Sequence, residues 1–189
     1  MYQKYYTEAL VLGNRERGEN DRIFTLYTKD FGLVRARASA VRAESSRMRY
    51  ALQNYSRSHV ALVRGKHGWR IGGAVAREGA SGTGGIATFA RIARLVLRLV
   101  VGEERNDYLF AALSEARCAL AKSASDICPT IEIVCVARIL FALGYLSSEA
   151  FKTTLFTHTG YASEHVREAE ALRETLLSSV NRAIAETHL

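Results

Sequence analysis

Residues 32–57 read GLVRARASAVRAESSRMRYALQNYSR and join a strand pattern to a short helix pattern. In the first part, small apolar residues alternate with Arg35 and Arg37, so a strand here would bury one face and carry two arginines about 6–7 Å apart on the other. The part that follows is short of β-branched residues and has four residues at the i, i+3, i+4, i+7 spacing: Met48, Ala51, Leu52 and Tyr55. The stretch therefore predicts a strand and then one or two turns of amphipathic helix.

Four more runs rich in Val, Ile, Leu and aromatic residues flank this stretch, with turn-forming residues between them. They are EALVLGNRER (8–17), DRIFTLYT (21–28), SHVALVRG (58–65) and WRIGGAVA (69–76). Three strands, a short helix and two strands is the order of the OB-fold, a five-stranded barrel whose curved face binds oligonucleotides. SH3-like barrels also have five strands, and the helix in the third gap favours the OB-fold.

The pattern changes after ASGTGG at 80–85, a run of small residues that predicts a linker. Apolar residues then recur at helical spacing in four segments, near 86–100, 109–120, 131–143 and 166–184. Pro129 near the start and Gly144 at the end bound the third. We therefore expect an α+β protein, with an OB-fold domain at 1–79 and an all-helical domain at 86–189.

The excess of positive over negative charge lies entirely in the first part of the chain. Residues 1–79 contain 15 Lys and Arg against 7 Asp and Glu, a net +8, whereas residues 80–189 contain 11 against 12. Most of the basic residues are arginine, which presents a planar fork to phosphate and stacks on bases. Such asymmetry predicts a polyanionic partner for the first domain.

Several classes of function are disfavoured. No apolar run approaches the roughly 18 residues of a membrane helix, and the N-terminus lacks the pattern of a secretory signal, so we expect no membrane association and a cytoplasmic location. Three cysteines without a C-x-x-C pair favour free, packed thiols. No histidine pair has metal-ligand spacing, and the glycine runs lack a P-loop lysine. We predict no enzyme, no metal and no cofactor.

The candidate DNA-binding residues are the arginines of residues 34–57 with neighbouring basic residues and one tyrosine. Residues 34–57 hold six arginines and one acid, Glu44, whereas an ordinary solvated surface mixes the two signs. Tyr50 lies between arginines and is the best candidate for stacking on a base, while Tyr27 and Trp69 fit either stacking or the core. The set is Arg15, Arg35, Arg37, Arg42, Arg47, Arg49, Tyr50, Arg57 and Lys66.

A second group of arginines lies in the helical half. Arg91, Arg94 and Arg98 share one helix face and fit three roles: an extension of the DNA track, a grip on an acidic partner peptide, or an ordinary solvated face. Arg138 is the basic residue of the helix that ends at Gly144, and we include it in this predicted stripe. In the first half, Glu19, Asp21 and Arg22 favour a charge network in the first hairpin over acid–base catalysis.

Residues 8–42, together with SSRMRYALQNYS and VALVRGKHGWRIGGA, resemble the N-terminal barrel of the RecO family of bacterial recombination mediators. The most specific matches are the G-E-x-D-R-I-x-T-L-x-T run at 18–28, the G-L-V at 32–34 and the A-L-Q at 51–53. FALGY at 141–145 and the closing NRAIAETHL resemble family helices more loosely.

The resemblance implies a non-enzymatic protein that binds single- and double-stranded DNA and anneals complementary strands. With its partner RecR, such a protein would help load recombinase on DNA coated by the single-stranded-DNA-binding protein, whose acidic tail some members grip.

The chain departs from the family at two places. Residues 146–165 contain no cysteine where many members carry a four-cysteine zinc module. Ile133 and Val134 stand where some members have adjacent basic residues that help to grip the acidic tail, which leaves Arg138 as the only basic residue there. An OB-fold protein-interaction adaptor and an RNA-binding OB-fold protein remain alternatives.

Overall fold

The N-terminal part is a closed five-stranded barrel in the computed structural model, which describes residues 3–43, 46–77, 85–147 and 153–186. The strands are β1 (Lys4–Arg17), β2 (Asp21–Thr28), β3 (Gly32–Ala38), β4 (Arg57–Gly65) and β5 (Gly68–Ala76), and α1 (Met48–Ala51) lies between β3 and β4 in the chain. Their order around the barrel is β1-β2-β3-β5-β4. The predicted fold class, an OB-type barrel followed by helices, is confirmed.

The barrel closes because β1 is long enough to pair on both sides. Its first half pairs antiparallel with β4, from Lys4 opposite Val63, and its second half pairs with β2, as far as Arg17 opposite Asp21. β3 and β5 make the only parallel pairing recorded among the described strands, which joins Ala36 to Trp69 and Arg37 to Arg70. Alternation along each strand then sends one set of side chains inward and the other to the surface.

The core of the barrel consists of the inward set. Phe24, Leu26, Val34 and Leu62 are almost fully buried, and Leu52 from the α1 region joins them. The two aromatic residues with two candidate roles, Tyr27 and Trp69, are both buried, at 0% and 5% exposure. Trp69 belongs to the barrel core, and Tyr27 is buried on the face of β2 opposite to Leu26, so base stacking by either is excluded in this conformation.

A segment far along the chain completes the barrel. Leu99–Asp107 groups with the barrel residues into one compact unit, and residues 82–98 and 108–189 form the other. In this segment, which we call the strap, Glu103 accepts a hydrogen bond from the Trp69 indole at 2.9 Å and pairs with Arg64 at 3.1 Å. The Glu104 backbone lies so close to Gly32 that a Cβ there would overlap it. Nothing in the periodicity of the sequence predicts this contact.

Because Trp69 contacts the strap and is the one tryptophan of the sequence, its fluorescence reports how the strap packs on the barrel. We expect Glu103→Ala to leave the buried indole N–H without its acceptor, lower the free energy of unfolding by about 1–2 kcal/mol and shift the emission maximum to longer wavelength. Fluorescence during urea unfolding measures both quantities. Glu104→Ala removes the same charge but keeps the backbone contact, so it should leave the emission unchanged; equal shifts would contradict the role of Glu103.

The second unit is helical, as predicted. Its helices are α2 (Ile86–Leu99), α3 (Asp107–Lys122), α4 (Cys128–Ala142), α5 (Ser163–Ala171) and α6 (Arg173–Glu186). None of the helices in the described residues is long and apolar enough to cross a bilayer. The predicted linker falls mostly on residues 80–84, which lie outside the described residues.

The fourth predicted helix is wrong in one respect, since the structure has two helices there. Leu172 separates α5 from α6, and its N–H contacts the carbonyls of both Glu168 and Glu170. The Leu176 N–H in turn bonds to the Leu172 carbonyl, so the two helices follow each other with this one residue between them. The predicted apolar face nevertheless survives the interruption, because Ala169, Leu176 and Val180 are all buried.

Candidate nucleic-acid interface

Three arginines from different strands form a row on the outer surface of the barrel. Arg15 lies opposite Ile23, Ile23 opposite Arg37, and Arg37 opposite Arg70. Residues that pair directly across strands point to the same face, so these side chains lie side by side across β1, β2, β3 and β5. Their inward neighbours, such as Ala36 and Trp69, are buried, which fixes the row on the outside.

Arg35 adds a fourth guanidinium on this face, because it lies two residues before Arg37 on β3 and is also exposed. Among the described residues, Arg37 alone of the four has a recorded ion pair: its Nε donates to Asp21 at 2.7 Å. The backbone N–H of Ala40 and the Arg37 guanidinium together hold the pKa of Asp21 below its usual value. The carboxylate thus fixes Arg37 in place and leaves most of the positive charge of the face unbalanced.

Two turns border the row. Arg17 ends β1 beside the β1–β2 turn, the β4–β5 turn contributes Lys66, and both line a groove of about 450 Å³ together with Arg37 and Arg70. In OB-folds these two loops flank the oligonucleotide site. We call this surface the arginine face, consisting of Arg15, Arg35, Arg37 and Arg70 with Arg17 and Lys66 at its rim.

The remaining arginines of residues 34–57 gather around α1. Arg42, Arg47 and Arg49 are exposed, and Tyr50 is 62% exposed. The Arg49 guanidinium lies 4.8 Å from the centre of the Tyr50 ring and donates a hydrogen bond of 2.7 Å to its hydroxyl. An exposed ring stacked against a guanidinium is the kind of platform on which a base packs.

The Arg57 side chain stabilises the barrel through an ion pair. Its guanidinium is largely buried and donates twice to Glu8, at 2.6 and 3.1 Å, while Arg77 pairs with the other carboxylate oxygen. Burial raises the pKa of Glu8, but the hydrogen bonds and charges of Arg57 and Arg77 outweigh it, and the pKa lies below its usual value. Arg57 is therefore not part of the arginine face.

This ion-pair cluster predicts acid sensitivity. Because the pKa of Glu8 is lower in the folded than in the unfolded chain, its pairs stabilise the fold above about pH 4.3, and this contribution is lost as the pH falls through the folded-state pKa. We expect Glu8→Gln to lower stability near neutral pH and to flatten the loss between pH 5 and about 3. Urea midpoints across that range test this, with Glu19→Gln in the β1–β2 turn as control. An unchanged slope in Glu8→Gln would contradict it.

The predicted helical stripe is only partly present. Arg91 is held by Glu132 through contacts of 2.7 and 2.6 Å, whereas Arg94 and Arg98 are exposed on α2. Arg138 requires a correction, because it is fully buried in α4 and donates to the backbone carbonyls of Leu155, Thr159 and Gly160. A side chain buried by its packing against residues 155–161 is unavailable to DNA or a partner, so Arg138 leaves the predicted stripe.

Sequence reasoning missed Arg70 and Arg17. Arg70 stands between the buried Trp69 and Ile71, so the alternation of β5 already pointed it outward. Combining that alternation with the β3–β5 adjacency of an OB barrel would have placed Arg70 beside Arg37. Arg22 was assigned to the first hairpin, where it does pair with Glu16, at 3.5 Å.

No group of three or more histidine, cysteine, aspartate or glutamate residues that could hold a metal occurs in the part of the chain that the structure describes. Cys118 is half-buried and Cys128 and Cys135 are buried, all as free thiols. Burial raises the pKa of Cys135 to about 12, which keeps it protonated and unreactive.

Comparison with known proteins identifies relatives of the barrel. Residues 1–71 match the family described as "Recombination protein O N terminal". The DNA repair protein RecO of Desulfitobacterium hafniense (strain DSM 10664 / DCB-2) is 39% identical over 62 residues, 33% of this chain and 23% of that protein. The RecO proteins of Pelotomaculum thermopropionicum and Bifidobacterium animalis subsp. lactis are 42% and 44% identical over 62 residues, again 33% of this chain and 24% and 26% of theirs.

These matches confirm the resemblance to the RecO family over the N-terminal region. The aligned part of the chain spans about a quarter of each relative, so the similarity concerns the barrel.

Proposed function

We propose that this chain is a DNA-binding protein of recombinational DNA repair that acts as RecO-like mediators do. The observation that carries the proposal is the arginine face, which aligns Arg15, Arg37 and Arg70 across four strands of a barrel similar to the RecO N-terminal domain. Guanidinium groups in a row on a curved sheet fit the repeating phosphates of a nucleic-acid strand. Since the row consists of arginines without base-specific geometry, we expect little sequence preference.

In this proposal the protein anneals complementary strands and helps to load recombinase on DNA coated by single-stranded-DNA-binding protein. Annealing is limited by repulsion between two phosphate backbones, and a surface of unbalanced arginines lowers that repulsion. The work is binding and positioning, without a covalent step, so the protein is no enzyme and needs no cofactor. Its place is the cytoplasm, at the nucleoid.

Two protein partners belong to the proposal. RecR is the partner that the family resemblance implies. The exposed Arg94 and Arg98 of α2 offer positive charge to the acidic tail of the single-stranded-DNA-binding protein. Burial of Arg138 leaves α2 as the better candidate for this contact.

A fluorescence annealing assay with complementary oligonucleotides, at low and moderate salt, tests the proposal. We expect the chain to accelerate annealing and the acceleration to fade as salt rises, because phosphate contacts release counterions. The same titration with matched RNA separates a DNA mediator from an RNA-binding OB-fold protein. Tight binding to RecR without any acceleration of annealing would overturn the mediator role.

One feature favours the second candidate, a protein-interaction adaptor. Tyr6 and Val75 are 76% and 69% exposed on the outer surface of β1 and β5, and both line a groove of about 500 Å³. Exposed apolar side chains beside a groove are typical of protein contacts. If Tyr6→Ser abolishes RecR binding while DNA binding and annealing persist, the two activities use different faces of one barrel.

A further inference from the structure

A small cavity near α1 has an apolar floor and an arginine rim. It has a volume of about 210 Å³ and lies between β2, the chain that follows β3, and α1. Its floor residues are buried in the barrel core, whereas its three arginines belong to different parts of the chain. The lining residues are Phe24, Val41 and Leu52 at the floor and Arg22, Arg42 and Arg49 at the rim.

The charges at this rim are poorly balanced. Glu16 is the carboxylate that contacts it, 3.5 Å from Arg22 and 3.4 Å from Arg42, and its own side chain is 59% exposed. The Nε–H of Arg22 is buried and has no hydrogen-bond partner among the described residues. A buried donor without an acceptor is rare in folded proteins and points to an oxygen atom supplied by something else.

We propose that this cavity binds one unpaired nucleotide of a DNA strand, with the phosphate at the rim and the base on the floor. The three arginines provide charged donors for phosphate oxygens, and the buried Val41 and Leu52 provide an apolar surface for a base. Tyr50, already stacked on Arg49, stands next to the rim. The inference rests on the proposed DNA binding and deepens it.

The two basic surfaces then do different work. The arginine face contacts only the backbone and accepts single strands and duplexes alike. The cavity admits a base only after the base has left its partner, because a paired base would first have to be unpaired and unstacked. The cavity would therefore give the protein a preference for strands that still await a complement.

Substitution of Glu16 is a test in which the affinity for single-stranded DNA should rise. Because its carboxylate competes with a phosphate for Arg22 and Arg42, we expect Glu16→Gln to tighten binding of a 12-nucleotide single strand about two- to five-fold over wild type. Glu19→Gln removes the same charge from the adjacent exposed turn and serves as the matched control. Equal tightening by both variants would show a general charge effect and overturn the proposal.

Substitution of Arg49 is the complementary test, in which the affinity for single-stranded DNA should fall. We expect Arg49→Gln to weaken single-strand binding about five-fold more than binding of the blunt duplex, whereas Arg47→Gln, two residues away and outside the cavity, weakens both equally. Parallel losses in both variants would contradict a site for unpaired nucleotides. A strand with 5-iodouracil at one position should also crosslink at Tyr50 or Phe24 on irradiation, and crosslinks confined to the arginine face would contradict the cavity.

Titrations with free ligands distinguish failure of the cavity proposal from failure of the proposed function. Titration with dAMP and with inorganic phosphate shows whether the cavity takes a free nucleotide or requires a strand. If wild type binds no oligonucleotide but binds dAMP through Arg49, the DNA-repair proposal fails and the cavity is a site for free nucleotides instead of a DNA strand. If single strands bind and neither the Glu16 nor the Arg49 variant changes their preference over duplex, the cavity fails and the arginine face stands.

Discussion

Replacing Arg15, Arg35 and Arg70 together by glutamine is expected to weaken single-stranded DNA binding about 100-fold at 0.1 M salt. Of the four central arginines of the arginine face, these three have no recorded ion pair in the described residues, so their charge is available to phosphate. Each lost phosphate contact removes about 1 kcal/mol of counterion release at this salt and about 0.7 from the slope of log affinity against log salt. The slope should therefore fall by about 2.

The matched control removes three exposed basic residues of the helical unit, Lys122, Arg167 and Arg182. It changes the net charge by the same amount and should leave the salt slope within experimental error of wild type. Fluorescence anisotropy with a labelled oligonucleotide, repeated at four salt concentrations, measures both variants. If both variants lose affinity equally, net charge alone drives binding, and the row of arginines on the barrel has no special role.

Gly32→Ala is expected to destabilise the barrel by about 3–4 kcal/mol. Gly32 has a φ of +61°, where an L-residue costs about 1–2 kcal/mol, and its added methyl would also overlap the backbone of Glu104 in the strap. The strap would have to move away, and Trp69 would then lose its bond to Glu103. Urea unfolding followed by far-UV circular dichroism measures the loss.

Gly18→Ala separates the cost of the backbone conformation from the cost of the overlap with Glu104. Gly18 has nearly the same φ, +66°, and nothing lies within 4 Å of its added methyl, so this variant carries the backbone cost alone. We expect a loss of about 1–2 kcal/mol from it. An equal loss in the two variants would mean that the strap yields freely and contributes little to the barrel.

Local patterns were sufficient to predict the barrel. The alternation around Arg35 and Arg37 identified β3 and its outer face, and the helical spacing of Met48 and Leu52 identified α1. The OB-fold followed from the succession of three strands, a short helix and two strands, with the helix in the third gap favouring it over an SH3-like barrel. The sequence alone therefore predicts that both arginines lie on the surface, and the structure confirms their exposure.

Contacts distant in sequence were beyond this reasoning. Arg138 lies on the apolar face of α4, three residues after Cys135 and seven after Ile131, and its charge is tolerated there because carbonyls about 20 residues later accept hydrogen bonds from its guanidinium. Trp69 and Glu103 are likewise joined across 34 residues, which include the whole of α2. Periodicity shows which face of an element is apolar, but it does not show which polar group a distant segment will satisfy.

The strap also sets an order of events during synthesis. All five strands are complete at Ala76, but Glu103 and Glu104 are translated about 30 residues later, which takes roughly 2–6 s at bacterial elongation rates. During that interval the nascent barrel has no acceptor for the Trp69 indole. A fragment cut in the predicted linker would stay in that incomplete state, so the barrel is best expressed with the chain continued through Asp107.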